Sequence, residues 1–188
     1  MSESPFEELE AREQAERADE ARKDAFNSRV TLTIAVMAVL AAVGASLETT
    51  EGDKTIVAKN DAVLQQNQAS DQWAEYEAKS LKKNLYGIAA AEGGPKAADY
   101  ARTAARNGAD QEAVARQAKA FEARRDAFTE QAERHERRHD RLTLASTLLH
   151  TAIAIATLAI LLRRPWPWYT AIALTLGGVA LTGWAYWG

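Results

Sequence analysis

The sequence predicts an all-α membrane protein: three transmembrane helices, with a long, coiled-coil-like extramembrane helical hairpin between the first and the second. Three observations carry this. Every Asp, Glu, Lys and Arg of the 188 residues falls in 1–29, in 48–141 or in the pair Arg163-Arg164, so 30–47, 142–162 and 165–188 are uncharged. In the charged insert, apolar residues recur at three- and four-residue intervals, the period of a helix and not of a strand. The strongest breaker there is Gly93-Gly94-Pro95, near the middle of the insert, where two helical arms would turn back on each other. The net charge of −3 and the absence of cysteine exclude a basic nucleic-acid-binding surface and a disulfide-stapled secreted fold.

Residues 1–29 read as an acidic amphipathic helix with nine acidic and five basic side chains. Residues 30–47, VTLTIAVMAVLAAVGASL, would be about 27 Å long as a helix, the lower end of what crosses a bilayer. A cleaved signal peptide would need a basic region directly before this apolar run, and an acidic leader stands there instead. Residues 142–162 form the second span, with His150 its one ionisable side chain. Residues 166–187 form the third. Trp166, Trp168 and Tyr169 mark one of its ends and Trp184, Tyr186 and Trp187 the other, the pattern of rings seated at headgroup level. Arg163-Arg164 and Pro165 leave room only for a tight turn between spans two and three.

Basic residues near the spans divide six against six between the two faces. Loop length breaks the tie, because a long insert translocates largely regardless of charge while a short arginine pair resists. The expectation is a multi-pass protein of the bacterial inner membrane with a cytoplasmic amino terminus and 48–141 outside.

In the first arm of the insert, Val57, Leu64, Ala74, Ala78, Leu81, Leu85 and Ile88 lie on a 4-and-3 spacing. Asn60, Asn67 and Asp71 fill the remaining positions, so this repeat is expected to be the packing seam. After the breaker, 96–106 reads as a short helix closed by Asn107-Gly108, with Asp110 as the next N-cap. From there Val114, Ala118, Phe121, Phe128 and Ala132 continue the spacing, and the register runs on into span two. This second seam looks too thin for an isolated hairpin and is expected to join copies of the chain into a homo-oligomer. Ala38-xxx-Ala42, Ala41-xxx-Ala45 and Ala173-xxx-Gly177 add close-approach sites within the spans.

Chemistry-bearing residues are few. His135 and His139, one turn apart on one helix face, are the only candidates for a metal or proton-sensing pair, and a pair without a carboxylate partner pattern is a poor metal signature. His150 inside a span is expected to hydrogen-bond Ser or Thr of a neighbouring span. The run ERHERRHDR (133–141) could hold anionic headgroups, yet its interleaved acids favour ordinary pairing along one helix. Asp71, Gln72, Trp73 and Tyr76 form a candidate structural or partner-binding motif. No phosphate-cradling glycine loop, nucleophile elbow or Cys/His metal pattern occurs, so neither an enzyme nor a cofactor is expected.

The segment KNDAVLQQNQASDQWAEYEAKSLKKNLY (59–86), placed directly after a first span, resembles the signature of domain-of-unknown-function family 4337, bacterial membrane proteins of about this length. The likeness extends to the acidic leader, the charged helical stretch and the two closing spans. It implies that Ser70-Asp71-Gln72-Trp73 and Lys79-Ser80 belong to a family pattern, and it carries no activity, cofactor or catalytic residue. The expected role is therefore a membrane scaffold or accessory protein that engages a membrane protein partner through its hairpin. The alternative is a channel- or transporter-like oligomer whose spans line a pathway. Spans free of Asp, Glu, Lys and Arg favour the first.

Overall fold

The structure, a computed structural model, describes residues 5–187. It is all-helical, with no strand among the described residues: α1 (Pro5–Ala91), α2 (Ala97–Leu162) and α3 (Pro165–Trp187). Two of these helices, α1 and α2, contain stretches long and apolar enough to cross a membrane. Sharp changes of composition at 29/30, 47/48 and 141/142 do not interrupt either helix. Charge patterning decides the surroundings of a helix; its backbone hydrogen bonds are indifferent to it.

The helix ends have local causes. Gly93 and Gly94 stop α1 by adopting left-handed φ values of 82° and 102°, while Glu92 N–H still reaches the Ile88 carbonyl at 3.1 Å. At the other turn Arg163 takes φ 52°. There Arg164 N–H bonds the Ala159 carbonyl and Arg163 N–H the Ile160 carbonyl, both at 3.3 Å. That is the helix-terminating pattern normally given to glycine, here imposed on arginine because Pro165 must open the next helix at once.

The expected break at Asn107-Gly108 does not occur; α2 runs through it. Asn107 is buried and turns its amide back on the Thr103 carbonyl at 2.8 Å. A Cβ on Gly108 would lie 3.5 Å from the Lys83 side chain, so the residue packs against the first arm. Tertiary contact here overrides a weak local propensity. Asp110 is accordingly no N-cap, and its carboxylate accepts from Lys79 Nζ at 3.0 Å.

The chain divides into two compact units. One comprises the described residues up to Glu51 together with Arg137 onward; the other is Gly52–Glu136. In the first, Met37, Ala152, Ala156 and Ala171 form the core, enclosed by Ile34, Ile153, Ile172 and Leu174. Small residues let the helices close up: a Cβ on Gly178 would meet Leu149 Cγ at 2.9 Å. The packing stripe of α3 is Ala171, Thr175, Gly178 and Ala185, so Ala173 is exposed and the Ala173-xxx-Gly177 pair lies off it.

The second unit is an antiparallel pair of arms, residues 52–91 of α1 and 97–136 of α2. Polar rungs cross between them. Lys59 donates to Glu136 at 2.8 Å, Arg125 to Gln66 at 2.7 Å and Trp73 Nε1 to Glu122 at 2.9 Å. The α1 partners 59, 66 and 73 are seven residues apart, which puts them on one edge of the seam. Between them the first arm buries Thr55, Ala58 and Ala69. The repeat expected to line that seam does the reverse: Val57, Leu64, Leu81, Leu85 and Ile88 are 52–70% exposed. The physical reason is closeness. The arms meet through small side chains, and the bulkier repeat is turned to the opposite side of the helix.

Candidate functional site

The most polar cluster of the first unit lies where the uncharged parts of α1 and α2 give way to charged sequence. Glu48 is half-buried and Glu51 is 1% exposed, the one ionisable side chain among the buried residues described. The Thr143 hydroxyl donates to Glu48 Oε1 at 2.8 Å, with the His139 carbonyl a second acceptor at 3.1 Å. His139 Nδ1 stands 3.0 Å from the Glu48 carbonyl. A carbonyl only accepts, so this contact places a proton on Nδ1. One residue of α1, Glu48, thus holds Thr143 through its carboxylate and His139 through its carbonyl, an arrangement that clasps the two helices.

Next to it the aromatic end of α3 meets the arginine run. Arg141 lies 4.7 Å from the Trp184 ring centroid and Arg138 5.6 Å from that of Tyr186. Flat aromatic faces take up guanidinium groups in this way, and Arg and Trp both favour the edge of an apolar layer. Arg134 is paired with Glu130 one turn away at 2.7 Å. The opposite end of α3 is held by Trp168, which donates to Thr33 at 3.3 Å and meets Phe26 edge-on at 6.1 Å. In the charged leader, the hydrogen bond from Lys23 holds the Asp19 carboxyl below its ordinary value.

The residues singled out in the sequence are distributed as follows. His135 and His139 are both half-buried, and no group of three or more His, Asp or Glu able to hold a metal occurs among the described residues. His150 does not reach a neighbouring span. Its Nδ1 bonds the Ser146 carbonyl of its own helix at 2.8 Å, because an i, i+4 spacing brings that carbonyl within reach, and its side chain is exposed. The Asp71–Tyr76 motif splits. Trp73 packs edge-on to Tyr76 at 5.3 Å and bonds Glu122, and Gln72 is turned inward with its Oε1 unpartnered. Asp71 is exposed on the far side of the helix.

Val114, Ala118 and Ala132 are buried, and Phe121 and Phe128 half-buried, against the first arm of the same chain. Sequence reasoning missed Glu48, Glu51 and Thr143. The signal was available: buried positions of α1 run 37, 41, 44, 51, 55 and 58, with half-buried Glu48 on the same face, one register that carries straight past the charge boundary.

A family model described as a domain of unknown function (DUF4337) matches residues 26–188. No curated protein and no solved structure matches the chain.

Proposed function

The chain belongs to the DUF4337 family, and from its charge-free segments and its paired arms we propose that it is a three-span membrane scaffold of the bacterial inner membrane. In this reading its two charged arms form an extramembrane hairpin that assembles with a membrane protein partner and with further copies. The observation that carries the reading is the first arm itself, which presents its larger apolar side chains outward while its small and polar ones face the second arm. An arm so built has more to bind than its own chain covers. α3 supplies the third span: it is uncharged over 23 residues and ends in rings at both sides. The amino terminus and the Arg163-Arg164 turn are cytoplasmic and the arms lie outside.

Two experiments test this. A periplasmic-activity reporter fused after Ala98 is expected to be active and one at the amino terminus inactive; the opposite pattern refutes the topology. Purification in mild detergent with mass spectrometry is expected to recover a stoichiometric membrane protein dependent on the arms, and recovery unchanged on deleting 54–134 refutes the scaffold. One observation favours a second reading. Glu51, buried one turn of α1 beyond Glu48, would suit the mouth of a pathway through a channel-like oligomer, and a proton or cation flux abolished by Glu51→Gln is its signature.

A further inference from the structure

We propose that the outer face of the first arm is a second coiled-coil seam, occupied by the same face of a second copy in a parallel, in-register dimer. In the seven-residue repeat, the a positions are Val57, Leu64, Asp71, Ala78 and Leu85, and the d positions are Asn60, Asn67, Ala74, Leu81 and Ile88. The spacing holds without a slip over 57–88. The apolar members at its two ends are exposed, Val57 and Leu64 at 59% and 52%, Leu81, Leu85 and Ile88 at 70%, 62% and 62%. The intrachain seam through Thr55, Ala58, Ala69 and Gln72, at b and f of the same repeat, lies about 155° away around the helix at the coiled-coil period, so both can be filled at once.

Three features point to a second copy as the occupant. The second arm has no exposed large hydrophobic residue among those described, so the matching face on another molecule is that of α1. The strip is about 47 Å long and 10 Å wide, which over two copies amounts to roughly 1,000 Å2, the size at which specific interfaces begin. The flanking charges complement one another in parallel register. Glu77 at g faces Lys82 at e of the second copy, twice by symmetry, and both side chains are exposed in the single chain. Asn60 and Asn67, at d, each meet their own counterpart, so that amide pairs with amide across the seam.

The parallel sense rests on the proposed topology, in which every copy sends its arms out of the same side of one membrane. Asp71 then faces Asp71 of the second copy, a like-charge layer that limits affinity.

The absence of cysteine makes the test direct in native membranes. In full-length protein, Leu64→Cys and Leu85→Cys are each expected to cross-link to themselves on oxidation, and Ala120→Cys, exposed on the second arm, is not. The Leu81→Glu, Leu85→Glu variant is expected to weaken dimerisation roughly 100-fold or more by removing two apolar layers from the seam. Its helix content by circular dichroism should be unchanged, since both side chains are exposed in one chain. Asp71→Asn is expected to tighten the dimer roughly tenfold. Cross-linking of Leu64→Cys to Leu81→Cys without self-linking would overturn the parallel register. An oligomer indifferent to the double glutamate variant would overturn the surface while leaving assembly through the spans, and so the scaffold reading, intact. Wild type that is monomeric at every concentration would overturn the dimer, and arm-dependent recovery of a different protein would then still support the scaffold.

Discussion

The two arms of the second unit share a helical period and differ in what they do with it. The second arm points Val114, Ala118 and Ala132 at its neighbour and leaves no large apolar side chain exposed among the residues described. The first arm meets that neighbour through Thr55, Ala58 and Ala69, bordered by rungs from Lys59, Gln66 and Trp73. Its own larger side chains, Leu64, Leu81 and Leu85 among them, look away. A 4-and-3 repeat therefore identifies a face without identifying its partner. A helix can carry two such faces, and the more apolar one need not be the one its own chain uses.

The sharpest way to break this comparison is at the inward seam. Ala118→Asp puts an unpaired carboxylate at a fully buried position and is expected to cost about 3 kcal/mol or more. Ala120→Asp, exposed on the same arm, should cost about 0.5 kcal/mol, its helix-propensity term alone. Chemical unfolding in detergent followed by circular dichroism measures both. Equal losses would mean that the second arm does not use this face.

This contrast also explains what could be read from the chain beforehand. The all-helical class, the Gly93-Gly94 stop, the turn at Arg163-Arg164 and the period of the second arm were legible, because each rests on a local signal or on a steady apolar spacing. The partner of that second-arm face was not, for it was expected to join copies and is instead buried against the first arm of the same chain. Nor was the seam of the first arm. Ala58, Ala69 and Gln72 give almost no hydropathy signal, and the stronger repeat on the opposite face draws the eye. Asn107-Gly108 misled for a related reason: a helix-breaking pair was read without the arm that packs against it. Glu48 and Glu51 were hidden by placing a boundary where charge begins, although the buried register passes through it.

The same two-sidedness holds in α3, where it predicts a smaller effect. Gly178→Ala forces a Cβ to within 2.9 Å of Leu149 Cγ and 3.2 Å of the Ala145 carbonyl, and should destabilise the first unit by about 1–3 kcal/mol. At Gly177 a Cβ meets nothing within 4 Å, so Gly177→Ala should instead stabilise by up to about 1 kcal/mol. Thermal unfolding of the two variants distinguishes the faces by sign.

The rungs between the arms give the smallest differences. Trp73→Phe removes the donor to Glu122 and should cost about 1–2 kcal/mol, since a half-buried acceptor loses a charge-assisted bond. Glu136→Gln at the exposed Lys59 pair should cost less than about 1 kcal/mol and lose its effect in high salt. A double-mutant cycle on each pair reads the coupling, and a larger value at Lys59–Glu136 than at Trp73–Glu122 would reverse the ranking of the two rungs.

The central claim is the rotation of the first arm, and maleimide labelling of single cysteines across a dilution series tests it most directly. Ala58→Cys and Ala69→Cys, 2% and 1% exposed, should label slowly at every protein concentration, because their cover is the second arm of the same chain. Val57→Cys and Leu64→Cys, 59% and 52% exposed, should label quickly when dilute and become protected as the protein is concentrated and copies associate. Fast labelling at Ala69 together with concentration-independent protection at Leu64 would contradict the account, for it would put the larger apolar repeat inside the hairpin.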